Sequence, residues 1–326
     1  MAEATTKSQL EQLRDYTIVV VDTGDIDAVK EHRPQDATTN PSLLLQASQQ
    51  PQYRPLLDEA VAYAKKQPLD QRGRRKAMLD KLFVNFGREI LQYIPGRVST
   101  EVDARLSFDV EGSVEKARQL IRLYELEGID KERILIKLAS TWESICAARL
   151  LEAEGIHCNM TLMFCLGQAA AAAQVGATLI SPFVGRILDW YRERQGLSVT
   201  DPEEDPGVQS VKKIYAYLKA YGYRTQVMGA SFRNSGEIRA LSGCDLLTIA
   251  PQLLRELEES HDLLPRHLHP PAADQLLPDQ IALDEKLFRW QLNEDPMATD
   301  KLADGIRRFA ADAVRLEEKL APFLEE

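Results

Sequence analysis

The sequence predicts an α/β protein that folds as a (β/α)8 TIM barrel. Eight short apolar runs, each long enough for one strand, alternate with longer segments of helical periodicity. A doubly wound open sheet is the alternative, but no strand is followed by a dinucleotide-binding or P-loop glycine motif. The 326 residues suffice for one barrel domain over 1–326, with a C-terminal helical extension at about 284–326.

The elements follow one another along the chain with a regular spacing. Strands are predicted at 18–23, 37–40, 98–105, 134–139, 159–164, 178–184, 225–232 and 246–250, and helices at 113–127, 142–154, 168–175, 208–221 and 252–260. The long gap between the second and third strands should hold more than one helix. The proline-rich segment 261–278 is predicted to be an exposed loop, with His267 and His269 at the surface rather than acting as ligands.

The last segment, 284–326, carries an apolar stripe at helical spacing. Such a stripe usually packs on a core, but outside a closed barrel it could also cover the site or join two subunits. The residues of the stripe are Phe288, Trp290, Leu292, Ile306, Phe309, Val314 and Leu320.

Composition excludes several classes of function. The formal charge of -10 disfavours nucleic acid or an anionic membrane as a partner, because either would require a basic face. No run is apolar and long enough to cross a bilayer, and the N-terminal residues lack the apolar core of a signal peptide, so we expect a cytoplasmic protein. The acidic cluster Asp22, Asp25 and Asp27 lacks the spacing of an EF-hand, and a solvated turn is the better interpretation.

The four cysteines are scattered without a C-x-x-C pair or a neighbouring histidine pair. They are predicted to be reduced and mostly buried, and they suggest neither a disulfide framework nor a zinc site. They are Cys146, Cys158, Cys165 and Cys244.

Lys137 is the most informative residue, because it interrupts the apolar run of the fourth strand. A lysine inside a barrel loses part of its preference for the charged form, and its free amine can attack a carbonyl to make a Schiff base. The alternative is a structural ion pair with Glu101 or Asp103. The strand alone does not decide between these two interpretations.

Other strands also carry polar residues at the end where barrel enzymes place their chemistry. Alternation places Glu101 with Asp103, Asn159 with Thr161, and Ser231 with Arg233 on shared strand faces. A packed core has no need of so many inward polar groups, since each unpaired group costs about 1 to 3 kcal/mol. The polar residues, in strand order, are Asp22, Thr39, Asn40, Glu101, Asp103, Lys137, Asn159, Thr161, Ser181, Arg186, Ser231 and Arg233.

These residue types fit carbonyl chemistry by an amine, with carboxylates that carry protons. Lys137 would form an iminium, and Asp22 and Glu101 would move protons, although each carboxylate could instead belong to a salt bridge. Arg186, Arg233 and the turn that ends at Ser231 could bind a phosphate through forked donors and backbone amides, although either arginine alone is more often a surface or ion-pair residue.

Six segments resemble those of transaldolases. They are VDTGD at 21–25, DATTNPS at 36–42, STEVDAR at 99–105, ILIKLASTW at 134–142, ISPFVGRILDW at 180–190 and MGASFR at 228–233. The resemblance runs from about residue 13 to 253 and resumes at 290–309. It implies a barrel of the class I aldolase type, with a Schiff-base lysine on the fourth strand, where Lys137 lies. It also implies an enzyme of the non-oxidative pentose phosphate pathway.

The resemblance also implies a role for each matched residue. Lys137 would attack the ketone of fructose 6-phosphate or sedoheptulose 7-phosphate, and Asp22 would take the C4 hydroxyl proton as the C3–C4 bond breaks. Glu101 and Thr161 would hold the water that shuttles protons. Asn40, Asn159 and Ser181 would bind the three-carbon unit, Phe183 would line the site, and Arg186, Ser231 and Arg233 would hold the phosphate. The three-carbon unit would then pass to glyceraldehyde 3-phosphate or erythrose 4-phosphate, and no cofactor or metal would be needed. The resemblance also implies a homodimer.

Two segments depart from the family pattern. Cys165 and Gly167 stand where serine and alanine are expected, which could add oxidation sensitivity, and the loop 261–278 has no typical counterpart. Two rival functions remain. A fructose 6-phosphate aldolase would release the three-carbon unit, but such enzymes carry glutamine at the position of Glu101. A barrel that only binds sugar phosphates should lack a catalytic residue, and none of the matched ones is missing.

Overall fold

A computed structural model describes residues 5–272 and 279–325 and shows a closed barrel of parallel strands. Each strand pairs with the next along the chain, and the last pairs with the first, as a (β/α)8 barrel requires. The strands are β1 Ile18–Asp22, β2 Asp36–Thr38, β3 Val98–Glu101, β4 Ile134–Ala139, β5 Cys158–Met163, β6 Leu179–Pro182, β7 Gln226–Gly229 and β8 Leu246–Ile249. The fold class predicted from the sequence is confirmed.

Helices surround the barrel. They are α1 Gln9–Arg14, α2 Ile26–His32, α3 Pro41–Ala47, α4 Arg54–Lys65, α5 Gln71–Leu91, α6 Val110–Leu126, α7 Trp142–Ala153, α8 Leu166–Gln174, α9 Gly185–Gln195, α10 Pro206–Ala220, α11 Ser235–Ala240, α12 Pro251–Glu259, α13 Glu285–Glu294 and α14 Pro296–Glu325. The long gap after β2 holds α3, α4 and α5, as predicted.

Seven of the eight strands end earlier than the sequence pattern indicates, and the two largest differences, in β3 and β7, bear on the site. β3 stops at Glu101, because the Asp103 side chain caps a short 3-10 turn and turns outward to pair with Arg105 at 2.5 Å. β7 stops at Gly229, and Ser231 adopts a left-handed φ of 63°. The shared strand faces predicted for Glu101 with Asp103 and for Ser231 with Arg233 are therefore wrong.

The inside of the barrel is closed below the site by an apolar layer. Val20, Leu135, Leu179, Met228 and Leu246 form this layer, and each is almost fully buried. Lys137 lies two residues beyond Leu135 on β4, on the same strand face and nearer the C-terminal end. The layer therefore separates Lys137 from solvent at the opposite end of the barrel.

The C-terminal helix α14 crosses the barrel end at which the strands finish. It contacts α3, α9 and β5, and Phe309, in the middle of this helix, is 3% exposed. A Cβ on Gly305 would lie 2.6 Å from a methyl carbon of Leu162, so glycine allows this close approach. The sequence left three roles open for the apolar stripe of 284–326: packing on the core, covering the site or joining two subunits. In the structure α14 covers the barrel mouth. Trp290 of α13, which belongs to the same stripe, is 58% exposed.

The features that the sequence placed outside the site lie at the surface or at helix ends. His267 and His269 are exposed, as predicted, and positions 273–278 of their loop lie outside the described residues. Asp25 caps α2, and Asp27 pairs with Lys30 at 2.9 Å. Among the described helices, none is both long and apolar enough to span a membrane.

The four cysteines are free thiols in the structure. Cys158 and Cys244 are buried, whereas Cys146 and Cys165 are partly exposed. The expected burial of these side chains is therefore found for two of the four.

Candidate active site

A small cavity opens at the C-terminal end of the barrel strands and collects most of the predicted polar residues. Its volume is about 60 Å³. Eight predicted site residues line it: Asp22, Asn40, Lys137, Thr161, Ser181, Phe183, Arg186 and Ser231. A larger cavity of about 760 Å³ lies at the opposite end of the barrel, where Ile18 and Gln226 begin their strands. Barrel enzymes place their chemistry at the end that holds the small cavity.

Lys137 lies among the polar side chains that line this cavity. Its ammonium nitrogen lies 3.1 Å from Glu101 Oε2 and donates to the carbonyl of Thr39 at 3.2 Å. The strand register places Glu101 beside Lys137, and Lys137 beside Asn159, on three neighbouring strands. Of the two carboxylates suggested as structural partners, Glu101 is the one that Lys137 contacts.

Burial shifts the pKa values of Glu101 and Asp22, the two carboxyl groups of the site. Burial raises the pKa of Glu101 above its ordinary value, although the charge of Lys137 opposes the shift. Burial likewise raises the pKa of Asp22, against the opposing effects of Lys137 and of the hydrogen bond that Thr38 Oγ1 donates to Asp22 Oδ1 at 2.9 Å. A raised pKa makes each carboxylate a better proton acceptor than it would be in water.

Two buried oxygens beside Lys137 lack well-oriented hydrogen-bond partners among the described residues. They are Glu101 Oε2 and Thr161 Oγ1. Buried polar atoms are usually satisfied by protein or by ordered water. Each of these atoms therefore has capacity for a further hydrogen bond.

A second group of polar residues continues the site along β5 and β6. Asn159 donates to Ser99 Oγ at 3.0 Å and accepts from Ser181 Oγ at 2.6 Å. These bonds fix the Ser181 hydroxyl at the cavity wall. Asn159 does not line the cavity, so its contact with the site is through Ser181.

Asn40 lies at the start of α3, where its side-chain oxygen accepts the backbone N–H of Leu43 at 3.0 Å. Pro41 follows at the first helical position, a place that suits proline because no backbone donor is required there. The cap fixes the orientation of the Asn40 amide at the cavity edge.

Two arginines lie on the phosphate side of the predicted site, but their environments differ. Arg186 stacks on the rings of Phe183 and Phe309, at 4.9 and 5.4 Å from the ring centroids. Burial lowers the pKa of Arg186, and a guanidinium is still charged at neutral pH. Arg233 instead pairs with Asp189 at 2.6 Å and does not line the cavity.

Ser231 links the cavity to Arg233. Its hydroxyl accepts from Arg233 Nη1 at 3.4 Å, and its carbonyl accepts the backbone N–H of Gly185 at 2.9 Å. A Cβ on Gly185 would lie 2.5 Å from Cγ of Arg233, so the two loops pack closely here. Ser231 and Arg233 thus belong to one tightly packed loop at the mouth of the cavity.

Several lining residues were not predicted as site residues. Thr38 and Thr248 share a 2.7 Å hydrogen bond behind Asp22, and Phe309 lies with its ring centroid 5.9 Å from the Lys137 nitrogen. The alternation of side chains in the predicted strand 246–250 could have indicated that Thr248 faces the inside of the barrel. No local pattern places Phe309 over the barrel, because its position depends on how α14 crosses the strand ends.

Cys165 directly precedes α8, and its thiol is a weaker acid than an ordinary cysteine. Its Sγ contacts Gln168 Oε1 at 3.6 Å, and burial raises the pKa of the thiol to about 11. Because the thiolate is the reactive form, we expect iodoacetamide at about pH 8 to label Cys165 much more slowly than an unfolded-chain control. Peptide mapping by mass spectrometry measures the difference, and equal labelling rates would contradict this expectation.

Comparison with known proteins agrees with this geometry. The family model for "Transaldolase/Fructose-6-phosphate aldolase" matches residues 19–320. The chain belongs to this family. It is 58% identical over 315 residues to the transaldolase of Rattus norvegicus, covering 96% of this chain and 94% of the relative. It is 59% identical over 313 residues to the transaldolase of Histophilus somni strain 129Pt, covering 96% and 98%.

The human relative, also named transaldolase, is 58% identical over 315 residues, which cover 96% of this chain and 94% of the relative. Identity of this extent over nearly the whole chain indicates an enzyme of the transaldolase type, which is a transferase. Family membership also agrees with the barrel and with the lysine on its fourth strand.

Proposed function

We propose that this chain transfers a dihydroxyacetone unit from a ketose phosphate to an aldose phosphate through a Schiff base on Lys137. The donors would be sedoheptulose 7-phosphate or fructose 6-phosphate, and the acceptors glyceraldehyde 3-phosphate or erythrose 4-phosphate. The observation that carries the proposal is the Lys137 amine, which is 5% exposed, lines the cavity and lies 3.1 Å from a carboxylate.

The first part of the reaction requires proton transfer around the amine. Glu101 can accept a proton from Lys137 directly, and the amine then attacks the ketone carbon to form a carbinolamine. A water between Glu101 Oε2 and Thr161 Oγ1 would relay the proton that converts the carbinolamine hydroxyl into a leaving water. The unsatisfied oxygens of these two residues support this role.

The second part requires a base on the other side of the cavity. Asp22 lines the cavity with Lys137, and its raised pKa suits removal of the C4 hydroxyl proton as the C3–C4 bond breaks. The electrons of that bond pass to the iminium and form an enamine. Asn40 and Ser181 would bind the hydroxyl groups of the three carbons that stay on Lys137.

The phosphate would bind at the outer edge of the cavity. Arg186 and Ser231 line the cavity, and Arg233 contacts Ser231. Asp189 now occupies one edge of the Arg233 guanidinium, so an incoming phosphate would compete with this carboxylate. Phosphate binding should therefore separate Arg233 from Asp189.

The test is release of glyceraldehyde 3-phosphate from fructose 6-phosphate, measured with and without erythrose 4-phosphate. Sustained release only with the acceptor is expected, because the three-carbon unit must leave Lys137 before the next turnover. Sustained release without acceptor would indicate an aldolase instead. No release in either case would indicate a barrel that only binds its ligand.

Phe309 should control the competition between transfer and release. A cavity of about 60 Å³ is far smaller than the roughly 300 Å³ typical of small-molecule pockets, so its cover must shift to admit a sugar phosphate. We expect Phe309→Leu to admit water to the enamine and to raise acceptor-independent release of dihydroxyacetone relative to transfer. An unchanged ratio of the two rates would exclude this role for Phe309. Val314→Ala, a partly buried position on the same helix, is the matched control.

We also propose a homodimer and a cytoplasmic location. Phe108 and Trp290 are 65% and 58% exposed, and large apolar side chains of this kind are enriched in subunit interfaces. Light scattering after size-exclusion chromatography should give twice the chain mass, and Trp290→Arg should lower it if α13 lies in the interface. Fractionation of cells that express the protein tests its location.

A further inference from the structure

Two buried carboxyl groups lie behind the loop that holds Ser231 and Arg233. Asp205, at the start of α10, is 2% exposed, and Glu237, in the first turn of α11, is 0% exposed. The two carboxyl groups interact electrostatically with each other. Neither residue lines the catalytic cavity or takes part in the chemistry proposed above.

Both carboxyl groups accept N–H donors, so the contacts do not single out one of them as the ionised group. Asp205 Oδ1 accepts the backbone N–H groups of Gly207 at 2.7 Å and Val208 at 3.3 Å. Two neighbouring buried carboxylates would repel each other, so the pair keeps one proton between them.

Glu237 is attached directly to the phosphate loop. Its Oε2 accepts the backbone N–H of Arg233 at 2.8 Å, and its Oε1 accepts from Asn234 Nδ2 at 3.2 Å. The far side of the loop is held by the bond from the Gly185 N–H to the carbonyl of Ser231. Glu237 therefore both fixes the loop and places a titratable group behind it.

The charged groups around Glu237 come from three packed elements. The pKa of Glu237 is raised to about 7, mainly by burial and also by the Asp205 charge. The Arg233 backbone N–H, the Arg233 charge and Arg192 of α9 act in the opposite direction. Burial also raises the pKa of Asp205. The pair thus changes its charge near neutral pH.

We propose that Asp205 and Glu237 share one proton behind the loop, and that the affinity of the loop for a phosphate or sulfate dianion falls when this proton leaves. The inference rests on the proposed function, since it takes Ser231 and Arg233 as the anion-binding residues. The physical reason is that ionised Glu237 adds a negative charge directly behind Arg233. By linkage, an anion bound to the loop must favour proton uptake by the pair.

Sulfate is the probe, because it does not titrate near neutral pH. Isothermal calorimetry of sulfate binding in two buffers of different ionisation enthalpy gives the number of protons taken up per ion. For the unmodified protein we expect uptake of about half a proton at about pH 7.5, and an affinity that falls roughly tenfold from about pH 6 to about pH 8.5.

Glu237→Gln keeps an oxygen for the Arg233 N–H but cannot ionise. We expect it to bind sulfate without this proton uptake and with little pH dependence. Glu204→Gln is the matched control: it removes an exposed charge next to Asp205 and should behave as the unmodified protein does. His267, which lies 3.3 Å from Glu203 nearby, is kept in every variant.

Asp205→Asn is the second variant, in case Glu237→Gln fails to fold. It removes the repelling carboxylate, so the fall in sulfate affinity should move to lower pH. Sulfate binding with no proton uptake, or equal uptake by Glu237→Gln, would overturn the inference. Neither result would contradict the proposed transferase function. Protein that binds sulfate as expected but transfers no three-carbon unit would instead contradict the proposed function alone.

Discussion

Replacement of Lys137 by alanine will abolish covalent trapping of a ketose phosphate by borohydride. Borohydride reduces an iminium to a stable secondary amine, and the amine of Lys137 is the one that lines the cavity beside Asp22. Intact-mass spectrometry after reduction with fructose 6-phosphate should show one adduct on the unmodified protein and none on Lys137→Ala. Peptide mapping should place the adduct on Lys137.

Lys81→Ala is a matched control for this experiment. Lys81 is also 5% exposed and also forms an ion pair, with Glu59 at 2.9 Å, but it lies on α5 away from the cavity. Its replacement should leave trapping unchanged. An adduct that persists on another lysine in Lys137→Ala would show that burial and pairing do not identify the nucleophile.

The same substitution should change how stability depends on pH. Breaking a buried ion pair can cost about 3 to 5 kcal/mol, because the partner charge is left uncompensated. Lys137 lowers the pKa of Glu101, so its loss should raise that pKa further and make the folded protein hold a proton there. The loss of stability of Lys137→Ala relative to the unmodified protein should then be smallest at low pH and grow as the pH rises through the pKa of Glu101. Urea unfolding at several pH values measures this, and a constant deficit at every pH would contradict it.

The sequence was sufficient to identify the barrel and the centre of its site. Lys137 was recognisable because one charged residue interrupts a strand that is otherwise apolar, and parallel strand register then brings Glu101 and Asn159 beside it. These relations depend on the two-residue period of a strand and on the strand order, and both are expressed in local sequence.

The positions that were missed depend on contacts between distant parts of the chain. Asp103 was placed beside Glu101 because alternation was carried past the true end of β3, where its side chain caps a turn. Phe309 reaches the cavity only because α14 crosses the barrel mouth, and Asp205 comes near Glu237 only because the turn at 202–204, just before α10, packs against α11. No periodicity within one segment encodes such contacts.

Replacement of Asp22 by asparagine should separate Schiff-base formation from carbon–carbon bond cleavage. Asparagine retains an oxygen that can accept the hydrogen bond from Thr38, so the cavity should keep its shape, but it cannot take a proton. Borohydride trapping of fructose 6-phosphate should persist, whereas release of glyceraldehyde 3-phosphate should slow by roughly 10²-fold or more, the usual scale of a general base.

The pH profile provides an independent test of this assignment. The base must be ionised, and burial raises the pKa of Asp22, so cleavage by the unmodified protein should fall as the pH drops through a value above the ordinary 3.8. Asp22→Asn should lose this part of the profile. Asp27→Asn is the control, because Asp27 belongs to the same acidic cluster but is exposed and pairs with Lys30. If Asp22→Asn cleaves at the unmodified rate, the proton must leave the C4 hydroxyl by another route, and Glu101, whose carboxylate lies 3.1 Å from the Lys137 nitrogen, is then the candidate acceptor.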